Sequence, residues 1–342
     1  MNNIVSIIIP HVQGFNILDE CLTSVIKYTH NITYEIILVN NNSVDNSIKK
    51  IKNKFPDIKV VNSNINRGYA GGCNLGAQNA TGEYLLFLND DTVITENSIE
   101  ILYNEIKKDN NISAVQPKIK NYHNKELFDY AGACGGYIDY LVYPYSRGRI
   151  FDSIEKDVGQ YEEKKKIFWA SGTAFLTQNK LFKELKGFDE TLFAHMEEID
   201  YHWKCLLNKY DVYVIPQSVI YHKGGETLQY GSHKKIYLNH RNSIILFLTN
   251  HKKVSFKMIF KRLALEQLAS IYYLFTGKFK AFLAVSRAHI WIIRNWKYIS
   301  TRRDKMKKYM KSNHIISDKL MAPYSIVNKY YKQRKKTYSD LI

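Results

Sequence analysis

Residues 84–92 read Tyr84-Leu85-Leu86-Phe87-Leu88-Asn89-Asp90-Asp91-Thr92, a short apolar run that ends abruptly in two adjacent acids. A continuous apolar run of this length is typical of a strand buried on both faces of a sheet. Two adjacent carboxylates repel each other unless a cation or hydrogen-bond donors offset their charge. Mg²⁺ and Mn²⁺ prefer carboxylate and phosphate oxygens, so one interpretation is a divalent cation bridging a diphosphate. The alternative is a helix cap, in which Asp91 or Thr92 caps a helix running from Thr95.

Short β-branched apolar runs alternate with helical patterns through the first 115 residues. This alternation predicts an α/β fold in which crossover helices join parallel strands. The predicted strands are residues 5–9, 35–39, 58–61 and 84–88, and the predicted helices are residues 17–26 and 43–54. In such sheets a ligand binds beyond the carboxyl ends of the strands. The residues that follow each strand are therefore where we expect a nucleotide site.

Small and polar residues follow the predicted strands. They form Pro10-His11, Asn40-Asn41-Asn42-Ser43-Val44-Asp45 and Asn66-Arg67-Gly68-Tyr69-Ala70-Gly71-Gly72-Cys73-Asn74-Leu75-Gly76. Amides and carboxylates can pair with a pyrimidine edge and ribose hydroxyls, and glycines let the backbone approach a phosphate at a helix N-terminus. Each segment alone is a weak signal. For residues 40–43 alone, a turn that satisfies its own backbone is the favoured interpretation.

A second acidic cluster, Glu197-Glu198-Ile199-Asp200, lies at the start of a predicted helix. The structural explanation for this cluster is that the helix dipole stabilises acids in the first turn of a helix. The functional explanation is a general base, that is, a carboxylate that takes a proton from a reacting hydroxyl group.

The second half of the chain has a looser pattern. Residues 122–163 lack periodicity and are predicted to form a long loop. The next predicted elements are a strand at 167–177, a helix at 179–185 and a strand at 212–216. His222 then follows a strand and precedes Gly224 and Gly225. A lone histidine is more often structural than a ligand.

The formal net charge of +17 is concentrated in one part of the chain. Of the 49 Lys and Arg residues, 22 lie in residues 250–342, which hold only four of the 32 acids. A nucleic-acid enzyme needs positive potential around its cleft. Here the excess positive charge belongs to a separate part of the chain, so we expect no nucleic acid partner. Basic amphipathic helices predicted at 263–276 and 279–296 favour an anionic membrane surface instead. The alternative is that they pack on the rest of the chain or on a second subunit in a homodimer.

Other features of the sequence limit the class of protein. Four cysteines lie far apart without C-x-x-C spacing, so we expect buried thiols and neither a zinc site nor a disulfide framework. The first residues lack the pattern of a signal peptide. No stretch reaches the roughly 18 to 20 consecutive apolar residues that span a bilayer. We therefore expect a cytoplasmic location, with any membrane contact peripheral on the inner face.

Taken in order from residue 4 to about residue 242, these segments resemble the family 2 glycosyltransferases. The closer resemblance is to the branch that includes bacterial rhamnosyltransferases and related cell-surface polysaccharide enzymes. It rests on residues 41–45, 66–76, 88–92, 187–190 and 197–200, and on His222 with its following glycines. The resemblance implies a GT-A fold, that is, a Rossmann-like mixed sheet with flanking helices. It also implies an inverting single displacement, Mn²⁺ or Mg²⁺, and a sugar donor linked to dTDP, UDP or GDP.

The resemblance carries donor and metal roles onto individual residues. Asp91 matches the last acid of the family's metal motif, with Asn89 and Asp90 completing it. His222 matches a histidine that helps bind metal or diphosphate in some relatives. The residues predicted to bind the donor are Pro10, Asn40, Asn42, Asp45, Arg67, Gly72, Asn74, Asn89 and Asp90.

The predicted catalytic residues are Glu198 and Glu197. Glu198 matches the second acid of the family's acidic pair, which is usually assigned as the base, and a glutamate there reaches one methylene further than the usual aspartate. Two other positions depart from the family. Asn40 replaces an aspartate that accepts from a pyrimidine, and His11 replaces a smaller residue, so the nucleobase pocket is expected to differ.

The sequence thus predicts a catalytic domain at 1–249 and a basic helical appendage at 250–342. The domain divides into a nucleotide-binding half, 1–115, and an acceptor half, 116–249. The predicted function is sugar transfer to a hydroxyl of a glycan or lipid-linked glycan in bacterial surface polysaccharide synthesis, with rhamnose one candidate sugar. The alternatives are a non-catalytic nucleotide-sugar or glycan-binding protein, and a nucleotidyltransferase.

Overall fold

The computed structural model describes residues 5–224, 232–311, 316 and 319–341. A nine-stranded mixed sheet with helices on both faces forms its centre, and a five-stranded sheet lies beside it. The strands are β1 (Val5–His11), β2 (Tyr34–Asn41), β3 (Lys59–Ser63), β4 (Tyr84–Leu88), β5 (Thr92–Ile94), β6 (Ile112–Asn121), β7 (Gly136–Asp139), β8 (Pro144–Ser146), β9 (Arg149–Ile150), β10 (Ser153–Ile154), β11 (Lys165–Lys166), β12 (Ala174–Gln178), β13 (Asp211–His222) and β14 (Met321–Ala322).

The helices surround the large sheet and continue into the basic region. They are α1 (Phe15–Tyr28), α2 (Ser47–Lys54), α3 (Gly68–Gln78), α4 (Ser98–Ile106), α5 (Asn179–Glu184), α6 (Glu197–Leu207), α7 (His233–Asn250), α8 (Phe256–Phe275), α9 (Phe279–Arg294) and α10 (Trp296–Lys307). None of the helices in the described ranges is long and apolar enough to cross a membrane. All four cysteines are buried and free, as expected.

The predicted parallel half is confirmed. Strands β4, β1, β2 and β3 are neighbours in that order and run parallel. Along β1, Ile7 and Ile9 pack in the core on one face of the sheet, and Ile8 packs in the core on the other face. Both faces are therefore buried, which explains the continuous apolar runs. Helix α2 begins at Ser47 rather than at residue 43, because the preceding residues form a hydrogen-bonded turn.

The other half of the large sheet is mixed. Strand β12 lies antiparallel between β4 and β6, and β13 runs parallel to β6. The predicted strand at 167–177 is therefore correct only from Ala174 onward, since Ser171-Gly172-Thr173 forms a turn before β12. Helix α6 begins at Glu197 as predicted.

The predicted long loop at 122–163 is wrong. This region contains β7 to β10, which form the small sheet together with β14. Each of these strands has two to four residues, too few for a periodic pattern to be visible in the sequence. The rings of Tyr137, Tyr145 and Tyr338 contact one another, and the centroid of Tyr137 lies 5.8 Å from that of Tyr145 and 5.3 Å from that of Tyr338.

The basic region packs on α7 and on the small sheet. Helices α9 and α10 pack against α7, while β14 pairs with β7 and Tyr338 enters the core of the small sheet. The predicted boundary at residue 249 falls within the last turn of α7. The division into two domains stays a prediction, but residues 321–338 are part of the main body of the protein and do not form a free appendage.

Candidate active site

The carboxyl ends of β1, β2 and β4 meet at one edge of the large sheet. Pro10, Asn41 and residues 89–91 from these ends line one cavity of about 360 Å³. After Asp91 the chain continues directly as β5, and α4 starts only at Ser98, with no side-chain cap. The helix-cap alternative for Asp91 or Thr92 is therefore wrong.

Asp90 is held by a buried histidine. Its Oδ2 lies 2.6 Å from His11 Nδ1, and His11 Nε2 lies 2.8 Å from Ser47 Oγ at the start of α2. Burial raises the pKa of Asp90, and the hydrogen bond with His11 offsets part of that rise. His11 is fully buried, so any influence on a nucleobase would act through Asp90 and α2.

Asp91 faces the histidine predicted as its partner. Its Oδ1 lies 3.1 Å from His222 Nε2, and His222 Nδ1 lies 2.9 Å from Asp129 Oδ1. Burial acts to lower the pKa of His222, but the charges of Asp91 and Asp129 outweigh it and raise that pKa well above its usual value. Asp129 thus fixes the orientation of the ring. Gly225, part of the predicted motif, lies outside the described residues.

Glu197 and Glu198 project from the first turn of α6 into the same cavity. The Oε2 atom of each is buried and has no hydrogen-bond partner among the described residues. Burial raises the pKa of Glu197 well above its usual value, and the neighbouring charge of Glu198 adds to this rise. Burial also raises the pKa of Glu198, to about 7. A carboxyl group with such a pKa can accept a proton near neutral pH.

The backbone before these acids is strained. Phe193, His195 and Met196 have φ values of 65°, 69° and 75°, in the left-handed region that costs about 1–3 kcal/mol per residue without glycine. Asn242 of α7 holds this segment. Its side-chain amide lies 2.8 Å from the Leu192 carbonyl oxygen, 3.0 Å from that of Ala194 and 2.7 Å from that of His195.

The third acid of the cluster has a different role. Asp200 Oδ1 lies 2.5 Å from Arg302 Nη2 and 2.7 Å from Asn250 Nδ2. Arg302 Nε donates to Asp189 Oδ2 at 2.9 Å, so one guanidinium joins two acids that precede and follow the strained segment. Arg302 therefore anchors α6 to α10, and Asp200 is not available to a substrate.

The structure brings together the residues predicted at both acidic clusters. The cavity is lined by Pro10, Asn89, Asp90, Asp91, Glu197, Glu198 and His222. A second cavity of about 390 Å³ adjoins it, sharing Glu198, His195 and His222. Burial lowers the pKa of His195 to about 3, so its imidazole is neutral. Aromatic rings line much of the second cavity; they belong to Tyr130, Tyr143, Phe151, Trp169, Tyr273 and Tyr331.

Three predicted nucleoside residues lie at the end of β2 or in the turn after it, and they do not line the cavity. Asn40 Oδ1 accepts from Ser43 N at 2.8 Å, the turn geometry favoured for this segment. Asn42 is exposed with φ 61°. Asp45 Oδ2 accepts from Gly14 N at 2.8 Å. Its partial burial acts to raise its pKa, but this hydrogen bond and those from Ser47 and Ser43 outweigh it, and the pKa is well below its usual value.

Arg67, Gly72 and Asn74 also lie outside the cavity lining. Arg67 forms a long ion pair with Glu190, at 3.6 Å, and Asn74 exchanges two hydrogen bonds with the backbone of Phe188. A Cβ on Gly72 would lie 3.1 Å from Pro10 Cβ, so this glycine lets α3 pack closely on β1. These contacts give the three residues structural roles, and their predicted roles in donor binding stay predictions.

Several residues of the site were not predicted. Asn41 lines the cavity, and its side chain accepts from Arg67 N and donates to the Gly68 carbonyl, both at 2.9 Å. Lys234 and Lys235, in the first turn of α7, also line the cavity. The basic pair was visible in the sequence, but nothing in its pattern placed it near the acids. Asp129 was hidden in the region taken for a loop.

The residues at Asp91 fit a divalent cation that is shared with a ligand. Asp91 Oδ1 is buried without an aligned hydrogen-bond donor among the described residues. A ligating histidine usually donates its other ring N–H to a carboxylate, as His222 does to Asp129. Within the described part of the chain, no group of three or more His, Cys, Asp or Glu residues could hold a metal alone. Mg²⁺ bound with substrate phosphates needs only one or two protein carboxylates.

Residues 6–186 match the sequence profile of glycosyl transferase family 2. Glycosyltransferase GlyG of Streptococcus pneumoniae serotype 4 is 31% identical over 134 residues, which cover 38% of this chain and 42% of that protein. The UDP-Glc:alpha-D-GlcNAc-diphosphoundecaprenol beta-1,3-glucosyltransferase WfgD of Escherichia coli is 28% identical over 126 residues, covering 36% of this chain and 49% of that protein. The match thus spans less than half the length of each relative.

Two solved structures share the fold. GalNAc-T7 with UDP, GalNAc and Mn²⁺ superposes with a TM-score of 0.60 at 20% identity, covering 73% of this chain and 48% of that one. The mannosyltransferase PcManGT from Pyrobaculum calidifontis, in complex with GDP-Man and Mn²⁺, superposes with a TM-score of 0.51 at 14% identity. The superposition covers 91% of this chain and 85% of that one. The predicted GT-A fold is confirmed.

Proposed function

The chain belongs to glycosyl transferase family 2, and from that premise we propose that it moves a sugar from a nucleotide-diphosphate sugar to a hydroxyl of a glycan or lipid-linked glycan. The observation that carries the proposal is the single cavity lined by both acidic clusters. Asp90 and Asp91 lie at the strand ends, where such sheets bind nucleotides. Glu197 and Glu198 lie across the cavity, where an acceptor would approach.

In the proposed reaction, the oxygen of the acceptor hydroxyl forms a bond to the anomeric carbon of the donor sugar. The bond from that carbon to the diphosphate breaks on the opposite face, which inverts the configuration. Glu198 would take the hydroxyl proton, because its pKa of about 7 leaves it a competent base near neutral pH. Lys234 and Lys235 line the same cavity and would offset the charge of the departing diphosphate.

Asp91 and His222 would hold a divalent cation, Mn²⁺ or Mg²⁺, with Asp90 and Asn89 next to it. The cation would supply positive charge to the two phosphates of the donor. The buried Asp91 Oδ1 and the histidine orientation set by Asp129 support this part of the proposal. Mn²⁺ in the two structures with the same fold supports it as well.

The donor would be linked to dTDP, UDP or GDP, and rhamnose remains one candidate sugar from the sequence resemblance. For the acceptor, the relatives support bacterial surface polysaccharide synthesis. WfgD is described as acting on a diphosphoundecaprenol-linked sugar, and another relative as a poly(ribitol-phosphate) beta-glucosyltransferase. A membrane-linked acceptor of this kind would place the protein on the inner face of the cell membrane.

The test is a panel of dTDP-, UDP- and GDP-linked sugars with Mn²⁺ or Mg²⁺, read by thermal stabilisation and by slow hydrolysis of the donor. We expect at least one donor to stabilise the protein only when metal is present. The Asp91→Ala variant should lose that stabilisation. If no nucleotide sugar binds in the presence of either metal, the proposed function is wrong.

A further inference from the structure

Helix α8 has an apolar outer surface. The face toward the protein carries the buried Arg262, Glu266 and Ser270, and the half-buried Met258, Ile259 and Leu265 pack on the core beside them. The outer face carries Phe256 and Phe260, which are 84% and 67% exposed, followed by the exposed Leu263, Ile271 and Leu274. A helix that packs on a soluble domain normally turns its apolar residues toward the core.

Helix α9 packs against α8 and has an apolar outer face of its own. Its inner face is made of small residues such as Ala281, Ala284 and Ala288. Phe279, Leu283, Ile290 and Ile293 are spaced by four, seven and three residues, which places them on one face of the helix, and all four are exposed. We call these four residues and the five apolar residues of α8 named above the α8–α9 face. It is a large apolar surface with no partner within the described chain.

The charges around the α8–α9 face have a single sign. Lys257, Lys261, Lys280, Arg287 and Arg294 are exposed beside the apolar residues. Between residues 251 and 303 the only acid is Glu266. Glu266 is fully buried and turned inward, where its carboxylate contacts Arg262 at 2.8 Å and His240 at 2.5 Å. The charged side chains on the outer surface of the two helices are therefore all basic.

We propose that the α8–α9 face docks on the surface of an anionic lipid bilayer. The apolar residues would lie in the interfacial layer, and the flanking lysines and arginines would meet the lipid headgroups. A second copy of this chain fits the surface less well, because self-association through this face would bring two sets of basic residues together without acids to pair them. Negatively charged lipid complements both the apolar and the basic parts.

The proposed docking places the membrane next to the acceptor side of the cavity. The inner face of α8 lines the second cavity through Arg262, Glu266 and Tyr273. A helix is about 10 Å across, so one helix would separate the lipid surface from that cavity. This step rests on the proposed function, because it explains how an acceptor carried by a lipid would reach Glu198. The docking itself does not depend on the reaction.

The experiment uses the full chain and vesicles, with sedimentation as the readout. We expect binding to phosphatidylcholine vesicles that contain about 30% phosphatidylglycerol, and little binding to phosphatidylcholine alone. Binding should weaken at about 0.5 M NaCl, because salt screens the attraction to the headgroups. Light scattering after size exclusion should show the same mass for the lipid-free wild-type chain and for variants substituted in the α8–α9 face.

Two variants separate the apolar from the charged contribution. Phe260→Ser/Ile271→Ser/Leu283→Ser/Ile290→Ser should reduce vesicle binding about tenfold or more. Lys257→Glu/Lys261→Glu/Arg287→Glu should reduce it about 100-fold, since each basic residue near the lipid surface contributes roughly fivefold. The matched control, Val158→Ser/Lys180→Glu, changes an exposed apolar and an exposed basic residue elsewhere and should bind as the wild type does. Thermal melting shows that each variant is folded.

Two results would overturn the proposal. One is a wild-type chain that binds neither type of vesicle, or both equally. The other is a lipid-free dimer that the four-serine variant converts to a monomer, which would show that a second copy covers the face. Metal-dependent stabilisation by a nucleotide sugar should persist in all these variants. A failure of docking can thus be told apart from a failure of the proposed function.

Discussion

The two acidic clusters face the same cavity, but the protein holds them in opposite ways. Asp90 and Asp91, at the end of β4, each face a histidine. Glu197 and Glu198, at the start of α6, each keep a buried oxygen with no hydrogen-bond partner among the described residues. At the strand end, burial acts to raise the pKa of Asp91, but the charge of His222 outweighs it and lowers that pKa. At Asp90 burial outweighs the hydrogen bond with His11, so the pKa is raised. At the helix start, burial raises the pKa of both glutamates.

The largest expected effect comes from removing the proposed base. Glu198→Gln should lower the rate of sugar transfer about 10²–10⁴-fold, the usual contribution of general base catalysis. Metal-dependent donor binding should be unchanged, because it belongs to the other cluster. Because burial raises the pKa of Glu198 from 4.5 to about 7, its ionisation costs folding free energy that accumulates between these two pH values and is constant above them, so the variant should melt no lower than wild type at pH 8.

Glu197→Gln is the matched variant in that experiment. Steady-state transfer rates and donor titrations on both variants decide between the glutamates. A larger loss in Glu197→Gln would move the role of base to Glu197. Full turnover in Glu198→Gln would remove Glu198 from the mechanism.

The second effect tests how the helix-start cluster is anchored. Arg302→Ala leaves Asp200 buried without its main cationic partner, and breaking such a pair costs about 3–5 kcal/mol. In a chain of this size we expect a fall in melting temperature of roughly 5 °C. Lys305→Ala, an exposed position on the same helix, should change little. Equal melting temperatures for the two variants would mean that Arg302 does not hold α6.

The third effect tests the strand-end cluster through its outer support. Asp129→Asn removes the carboxylate that orients His222, and such changes weaken metal affinity or activity about 10–100-fold. Calorimetric titration of the donor with Mn²⁺ measures this loss. The difference from wild type should disappear when a chelator is present. An unchanged metal-dependent affinity would show that His222 needs no such support.

The smallest expected effect is the change in the transfer rate of the wild-type enzyme with pH. Because the base must be deprotonated, transfer should rise as pH increases through the pKa of Glu198, about 7. One titrating carboxyl predicts a rise of about tenfold between pH 6 and pH 8. Donor binding measured over the same range serves as the control. A flat transfer profile across that interval would contradict the pKa of the base.

The strand-end cluster was predictable because its signals are local. An apolar run followed by acids indicates both the strand and its end, and neighbouring parallel strands then bring their polar ends together. The predicted strands of the first 115 residues are confirmed for that reason. The turn after β2 also follows local rules, since Asn40 and Asp45 hydrogen-bond backbone groups close to them in sequence.

The support of the helix-start cluster was not predictable. Asn242 holds carbonyl groups about 50 residues away, and Arg302 reaches Asp200 from another helix. The support of Asp91 is hidden in the same way, because Asp129 contacts His222 from the irregular segment between β6 and β7. Such contacts depend on tertiary packing, which leaves no repeat or spacing in the sequence. The motif locates the glutamates, but the neighbours that hold them come from distant segments.

The small sheet has a consequence for the order of events during synthesis. Strand β7 leaves the ribosome well before β14 and Tyr338, which complete its edge and its stack of rings. At about 5–20 residues per second, Tyr137 waits roughly 10–40 seconds for Tyr338. During that interval the aromatic face of the sheet is uncovered and open to chaperones or to aggregation. A nascent chain that stops before residue 321 would therefore carry every acid of the site and still lack a finished core.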